Sequence, residues 1–230
     1  QSSAGPKELV ESDPENLLLA RGPRFRLHAE FVRDLALSVS GLLNPMVGGE
    51  SVFPYQPAGL WEELMSRQDG DSFTAQKYRQ DGGQKLYRRS MYTFVKRTSA
   101  HPNMTTFDAP DRQVCTVRRP RTNTPLQALV LLNDPTYVEA ARKLAERVVL
   151  AEADERRRVV HAFRLATGRM PKEAETQVLL KLYRDQLAAF RANSSGVDGL
   201  LKVGESPVAK GLDPVELAAG TVVKIGRAHV

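Results

Sequence analysis

Four times in this chain an Asp or Thr stands directly before a proline: Asp13-Pro14, Thr124-Pro125, Asp134-Pro135 and Asp213-Pro214. Proline at the first helical position gives up no hydrogen bond. The polar side chain before it can accept from the free N–H groups of the first turn. Each pair therefore reads as a helix start. Two of them, at 124 and 134, lie so close together that they imply a helix, a sharp corner and a second helix.

Apolar periodicity fills in the rest. Asp13-Pro14 opens a short helix over Glu15 to Ala20, stopped by Gly22-Pro23. Leu27, Phe31, Leu35, Val39 and Leu42 recur at helical spacing and form an inward stripe, and Asn44-Pro45 ends that run. From Val47 to Gly83 the period is lost and glycines and prolines punctuate a long ordered loop. A short helical turn at Leu60 to Met65 and a short strand at Ser72-Phe73-Thr74 are the elements expected inside it. Tyr87, Met91, Phe94 and Val95 predict a helix over Gln84 to Thr98.

Downstream the pattern is more regular. Helices are expected from Pro125 to Leu132, from Pro135 to about Leu150, and from Glu155 to Thr167 with Val159, Phe163 and Ala166 inward and Gly168 as the stop. Pro171 opens a long helix whose buried side is read as Ala174, Val178, Leu182 and Phe190. Asn193 to Gly199 reads as a polar linker, and Pro214 opens a last helix. The fold class is mainly α: an irregular helical domain with a long Gly/Pro-rich ordered loop and at most short strands. Residues 1–223 form one mostly helical domain, with 1–132 its loop-rich half and 133–192 its helical half.

The chain of 230 residues carries 33 Lys and Arg against 27 Asp and Glu, a net charge of +6. The basic residues are spread along it, which suits solvated helix faces more than a nucleic-acid footprint. No apolar run reaches the roughly 18 residues needed to span a membrane. One cysteine makes no internal disulfide, and the chain holds neither a C-x-x-C-H haem site nor a Cys/His zinc spacing. The first residue is Gln and not Met, so the N-terminus is read as a cut end. The last residues, 224–230, break the preceding pattern and resemble a read-through sequencing adapter. Lys224 and Arg227 supply two of the six positive charges, so without them the net charge is +4.

The run FDAPDRQVCTVRRPRTNTP, from Phe107 to Pro125, packs two acids, four arginines and the cysteine into a segment with no period. Such segments are held by specific polar contacts and often carry function. Asp108 and Asp111 can do acid–base work if one pKa is raised, but Arg112, Arg118, Arg119 and Arg121 would keep both ionised. An Asp–Arg network, buried or half-buried, that locks the loop is the leading reading. Catalysis by Asp108, Asp111, Arg112 and Cys115, with Arg118 beside them, is the alternative. Cys115 would need His28, His101 or His161 as its base, and reads more simply as a small buried hydrophobe. Arg118, Arg119, Arg121 and Asn123 are candidate anion ligands. Trp61, with Tyr55 and Phe53, could stack on sugar rings or pin the loop to the core. His161 reads as a core-edge histidine. No metal site is indicated.

The stretch YTFVKRTSAHPNMTTF leading into FDAPDRQVCTVRRPRTNTPLQALVLLNDP resembles a planctomycete-specific domain of unknown function. ENLLLARGPRFRLHAEFVRDLALSVSGLLNP and YQPAGLWEEL look like the same family. Val95 and Gly220 stand where that family often has Trp. The resemblance implies a module near the C-terminus of a large exported protein, behind a cytochrome c domain that carries the haem. It assigns no activity and places no cofactor in this segment. A binding or assembly role, with other domains of the parent chain as partners, is the first expectation. An enzyme of unknown class, or an acidic-glycan-binding domain, is the alternative.

Overall fold

The structure, a computed structural model, describes residues 5–22, 26–62 and 77–225. It is mainly α. The helices are α1 (Lys7–Ser12), α2 (Ala29–Ser40), α3 (Pro102–Thr106), α4 (Pro125–Asn133), α5 (Pro135–Ala151), α6 (Glu155–Thr167), α7 (Glu173–Ala192), α8 (Val197–Leu201) and α9 (Pro214–Ile225). Among the described residues, extended pairing is limited to isolated bridges, Asn44 with Arg88, Val52 with Thr93 and Lys96 with Ser99. The strand expected at Ser72 to Thr74 lies outside the described residues, as does the second half of the turn expected at Leu60 to Met65.

The centre is α5. Its start follows the cap chemistry read from the sequence, with Asp134 Oδ1 accepting from the Thr136 N–H at 2.9 Å. It packs against α2 on one side and α9 on another, with α4, α6 and α8 also in contact. Small side chains permit the closest approach. A Cβ built on Gly220 of α9 would stand 3.2 Å from Ala145 Cβ, so the α5–α9 crossing is small residue on small residue. Around it, Val159, Phe163, Leu179, Leu180, Tyr183, Leu187, Ala219 and Val223 form one buried cluster. Truncating a side chain as buried as Phe163 costs about 3–5 kcal/mol.

α5 also carries a buried polar centre. Glu139 accepts from the Tyr55 hydroxyl at 3.0 Å, the Tyr87 hydroxyl at 2.9 Å and the Ser206 N–H at 2.6 Å. Arg142 bonds Glu146 at 2.7 Å and the Ser206 carbonyl at 2.7 Å. Burial, with the Glu139 charge beside it, pushes the Tyr87 phenol up to about 12, so it stays a donor.

The sequence reading needs four corrections. The first concerns Glu15 to Ala20, which is not helical. Asp13 ends α1, and its carboxylate accepts from Leu17 N at 2.8 Å and Leu18 N at 2.9 Å, closing a turn. The second concerns Gln84 to Thr98. In place of an α-helix there are two short 3₁₀ turns, Gly83–Tyr87 and Ser90–Tyr92, followed by extended chain. The cause is tertiary. Buried Arg33 donates to Leu86 O at 2.6 Å and Arg88 O at 2.9 Å, and Asp34 accepts from Ser90 N at 2.7 Å. Val52 takes the Phe94 N–H at 2.9 Å and gives its own to Tyr92 O at 2.8 Å. Backbone groups claimed from outside cannot close helical turns.

The third correction is rotational. α2 buries Ala29, Arg33, Leu37 and Ser40, while Leu27, Phe31 and Leu35 face out. α2 ends at Gly41, which is left-handed with φ +83°, ahead of the expected Asn44-Pro45. α7 buries Thr176, Leu179, Leu180, Tyr183 and Leu187, leaving Ala174, Val178 and Leu182 outward, and Ala166 of α6 is exposed. Each helix carries two apolar faces, and its neighbours select one. The fourth is α8, which begins inside the expected linker, runs past its end and buries Val197 and Leu201.

Candidate functional site

The charge-dense run leaves the core at Phe107, which caps α3 and packs edge-on against Tyr137 of α5 with ring centres 6.0 Å apart. Asp108 then takes φ +63°, a left-handed turn that Asp tolerates better than most residues. Its carboxylate accepts from the Thr122 N–H at 2.7 Å and the Thr122 hydroxyl at 2.9 Å. Gln127, fully buried, donates to Thr122 Oγ1 at 3.1 Å and to Thr106 O at 2.9 Å. The two ends of the loop are thereby tied together at its base. Arg26, just before α2, holds the Thr122 carbonyl and donates to Asn123 Oδ1 at 3.0 Å.

Beyond that base the loop stands out from the protein. Asp111 accepts from the Gln113 N–H at 3.0 Å, a local turn, and both Asp111 and Arg112 are exposed. The lock expected from a buried or half-buried Asp–Arg network is thus made differently. The acids bond threonine and backbone, and the arginine tie runs to another element: Arg119 meets Glu30 of α2 at 2.7 Å. Burial pushes the Glu30 carboxyl up, but the Arg119 hydrogen bond helps bring it below its ordinary value. Cys115 is exposed and not a buried hydrophobe. None of its three candidate bases is bonded to it among the described residues. His28 precedes α2, His101 Nε2 meets Tyr55 O at 2.9 Å, and His161 Nδ1 stands 3.5 Å from Glu152.

Arg118 and Arg121 are exposed. Trp61 is 4 % exposed and sits in an aromatic cluster with Phe53, Tyr78 and Phe94, with the Lys96 ammonium 4.3 Å over its ring. It pins the loop and offers no open platform for a sugar.

The loop does border a cleft. A space of about 430 Å³, counting its open mouth, lies between α2, α3 and the extended segment after Tyr92. Arg112 and Glu30 stand at it, Phe94, Met104 and Pro110 are among its apolar residues, and Thr93 and His101, both buried, are also among the residues that line it. Arg112 holds φ +60° and acts on the Glu30 carboxyl from outside contact distance. Thr93 Oγ1 and His101 Nδ1 are buried with no hydrogen-bond partner among the described residues. Burial lowers the His101 pKa despite the opposing Asp134 charge, so the ring is neutral near pH 7.

A larger cavity of about 630 Å³ lies between α5, α6, α7 and α9. Its walls are mainly apolar, and the charged residues beside it, Glu155 and Arg158, bond Arg184 and Glu216. The smaller cleft is the better candidate because its lining is richer in polar and charged side chains, Glu30, Thr93, His101 and Arg112 among them. Sequence reasoning reached His101 only as a partner for Cys115 and did not reach Thr93. The His101-Pro102 pair, a helix start of the same kind as the four cap–proline pairs, was the available signal.

A family model for PSD1, proteins of unknown function (DUF1553), matches residues 1–183. The chain belongs to the PSD1 family. The match takes in α1 to α6 and the first half of α7, and so includes the whole loop and cleft. Neither the curated proteins nor the solved structures give a match. PSD1 membership therefore agrees with the resemblance to a domain of unknown function and adds no chemistry. Among the described residues, no three His, Cys, Asp or Glu side chains gather as a metal-holding group. No described helix is long and apolar enough to cross a membrane.

Proposed function

We propose that this PSD1 chain is a binding and assembly module of a larger exported protein, and that it docks on a neighbouring domain through α2 and α4. One observation carries the reading. Leu126, Leu129 and Leu132 of α4 are 56 %, 55 % and 47 % exposed, and Phe31 of α2 is 58 % exposed. These residues repeat at helical spacing, so each helix turns a whole apolar stripe outward. The stripes begin side by side, because Arg26 before α2 is bonded to Thr122 and Asn123 before α4. Val32 and Ala36 of α2 and Val130 and Leu131 of α4 share one buried cluster beneath them.

The pattern is uneven along the chain. Fifteen of the twenty exposed large apolar side chains among the described residues fall between Val10 and Leu132. The later helices bury their own apolar faces more completely. Concentrated exposure of this kind marks interaction surfaces. Export, and a haem-bearing cytochrome c domain elsewhere in the same parent, belong to the proposal through the family resemblance.

The reading is tested by hydroxyl-radical footprinting of the 230-residue chain beside the full-length parent. Docking requires Phe31, Leu126 and Leu129 to oxidise several-fold more slowly in the parent. Equal oxidation in both would sink the docking face.

A further inference from the structure

We infer that the partner of the α2/α4 face is a neighbouring domain with an acidic rim, and that the arginine loop from Arg112 to Arg121 grips that rim. The inference rests on the docking reading and names the chemistry of what docks.

The charge balance comes first. The bases are spread along the chain, but the acids are not. Residues 82–133 hold nine Lys and Arg and two acids, Asp108 and Asp111, a net charge of +7. The whole chain holds 33 and 27, so the other 178 residues hold 24 and 25, a net charge of −1. The positive balance of the chain therefore lies in this one segment. From Arg112 to Asn133 there is no acid at all.

The fold sets that charge beside the apolar stripes. Asp108 bonds Thr122 at the base of the loop, and Arg26 holds Thr122 and Asn123 in front of α4. Arg119 reaches Glu30, the neighbour of Phe31 on α2, at 2.7 Å. Gln113 Nε2 donates to the Arg97 carbonyl at 3.3 Å, which brings a further exposed arginine beside the loop. Arg26, Arg97 and the four loop arginines stand against Glu30, Asp108 and Asp111, a local balance of +3. Arg112 and Arg118 are exposed and make no ion pair within 4 Å among the described residues.

The rest of the loop selects a folded acidic surface over other anions. All its cations are arginine, whose planar, weakly hydrated fork pairs with carboxylates at a protein interface better than lysine does. Val117 is wholly exposed and Val114 is 73 % exposed between Arg112 and Arg118, and the chain runs on into the exposed leucines of α4. A polysaccharide or a nucleic acid would answer the arginines and leave these apolar side chains in water. Bilayer surfaces enrich Trp and Tyr at the headgroup level, and residues 110–133 contain neither. Apolar side chains edged by arginine match the make-up of a protein–protein interface.

The test is residue-resolved hydroxyl-radical footprinting of the loop and the helices together, in the full-length parent and in the 230-residue chain. At about 0.05 M salt, Val114, Cys115 and Val117 should oxidise several-fold more slowly in the parent. That protection should fade at about 0.5 M salt, where charges are screened beyond roughly 4 Å, while Phe31 and Leu126 stay protected. Arg112→Glu combined with Arg118→Glu in the parent should remove the loop protection, and Arg118→Lys, which keeps the charge, should retain most of it. Protected helices beside an unprotected loop, or loop protection indifferent to salt and to charge reversal, would overturn the acidic rim and leave the docking face standing. Helices unprotected in the parent would take down both. Loop protection of the 230-residue chain by phosphatidylglycerol vesicles or by polygalacturonate, with none in the parent, would overturn the protein partner in favour of that surface.

Discussion

The backbone of Gly204 lies directly against the carboxylate of Glu139. A Cβ at Gly204 would stand 2.2 Å from Glu139 Cδ, and the glycine holds φ +87°. Glu139 in turn ties Tyr55, Tyr87 and Ser206 together, so one contact joins the loop-rich half to the segment after α8. Gly204→Ala combines backbone strain with overpacking of a buried carboxylate. It should destabilise by about 2–5 kcal/mol, read as a lower urea midpoint.

Arg33 replaces missing secondary structure. Its guanidinium, wholly buried, satisfies the Leu86 and Arg88 carbonyls and the Ser90 hydroxyl. Arg33→Met should cost about 3–5 kcal/mol, because it strands buried carbonyls. Arg33→Lys should recover little, since one ammonium cannot reproduce the fork. Chemical denaturation of the two variants beside the parent sequence decides this.

The loop is anchored at Asp108 and not at Asp111. Asp108→Ala should cost about 1–3 kcal/mol by freeing Thr122 and by placing Ala at positive φ. Asp111→Ala loses one exposed turn contact and should stay within about 0.5 kcal/mol. Trypsin should cut at Arg118 and Arg121 faster in Asp108→Ala, with no change in Asp111→Ala.

His101 makes stability depend on pH. Burial, the larger effect, lowers its folded pKa below 6.5, with Asp134 opposing and Arg33 reinforcing the shift. The unfolded chain therefore takes up the proton first as pH falls. The contribution is fully present above about pH 6.5 and is lost on acidification toward the lower folded pKa. Urea midpoints from about pH 7.5 to about pH 5 should fall in the parent chain and flatten in His101→Gln, which retains a donor for Tyr55 O. Equal slopes in the two would remove His101 as the cause.

Helix ends in the second half of the chain were legible because capping is local. Asp134, Asp154 and Gly168 sit where the cap rules put them, and each acts within four residues. The family, too, was legible, since its motifs run through the loop and α4. The cleft was not. Its polar residues include Thr93, in a segment whose apolar spacing imitates a helix, and His101 just beyond that segment, and its mouth includes Arg112, whose surroundings depend on what Glu30 already holds.

The sequence by itself determined a mainly α chain, the corner at Asn133 to Pro135, and an irregular charged loop between α3 and α4. Those features rest on φ restriction by proline and on contacts between near neighbours. Tertiary structure alone decided which apolar face each helix buries, why residues 84–98 are not α-helical, and which charged residues are left unpaired. Each depends on a partner tens of residues away: Arg33 on Leu86 and Arg88, Arg119 on Glu30, Glu139 on Tyr55 and Gly204. Periodicity carries no record of such partners.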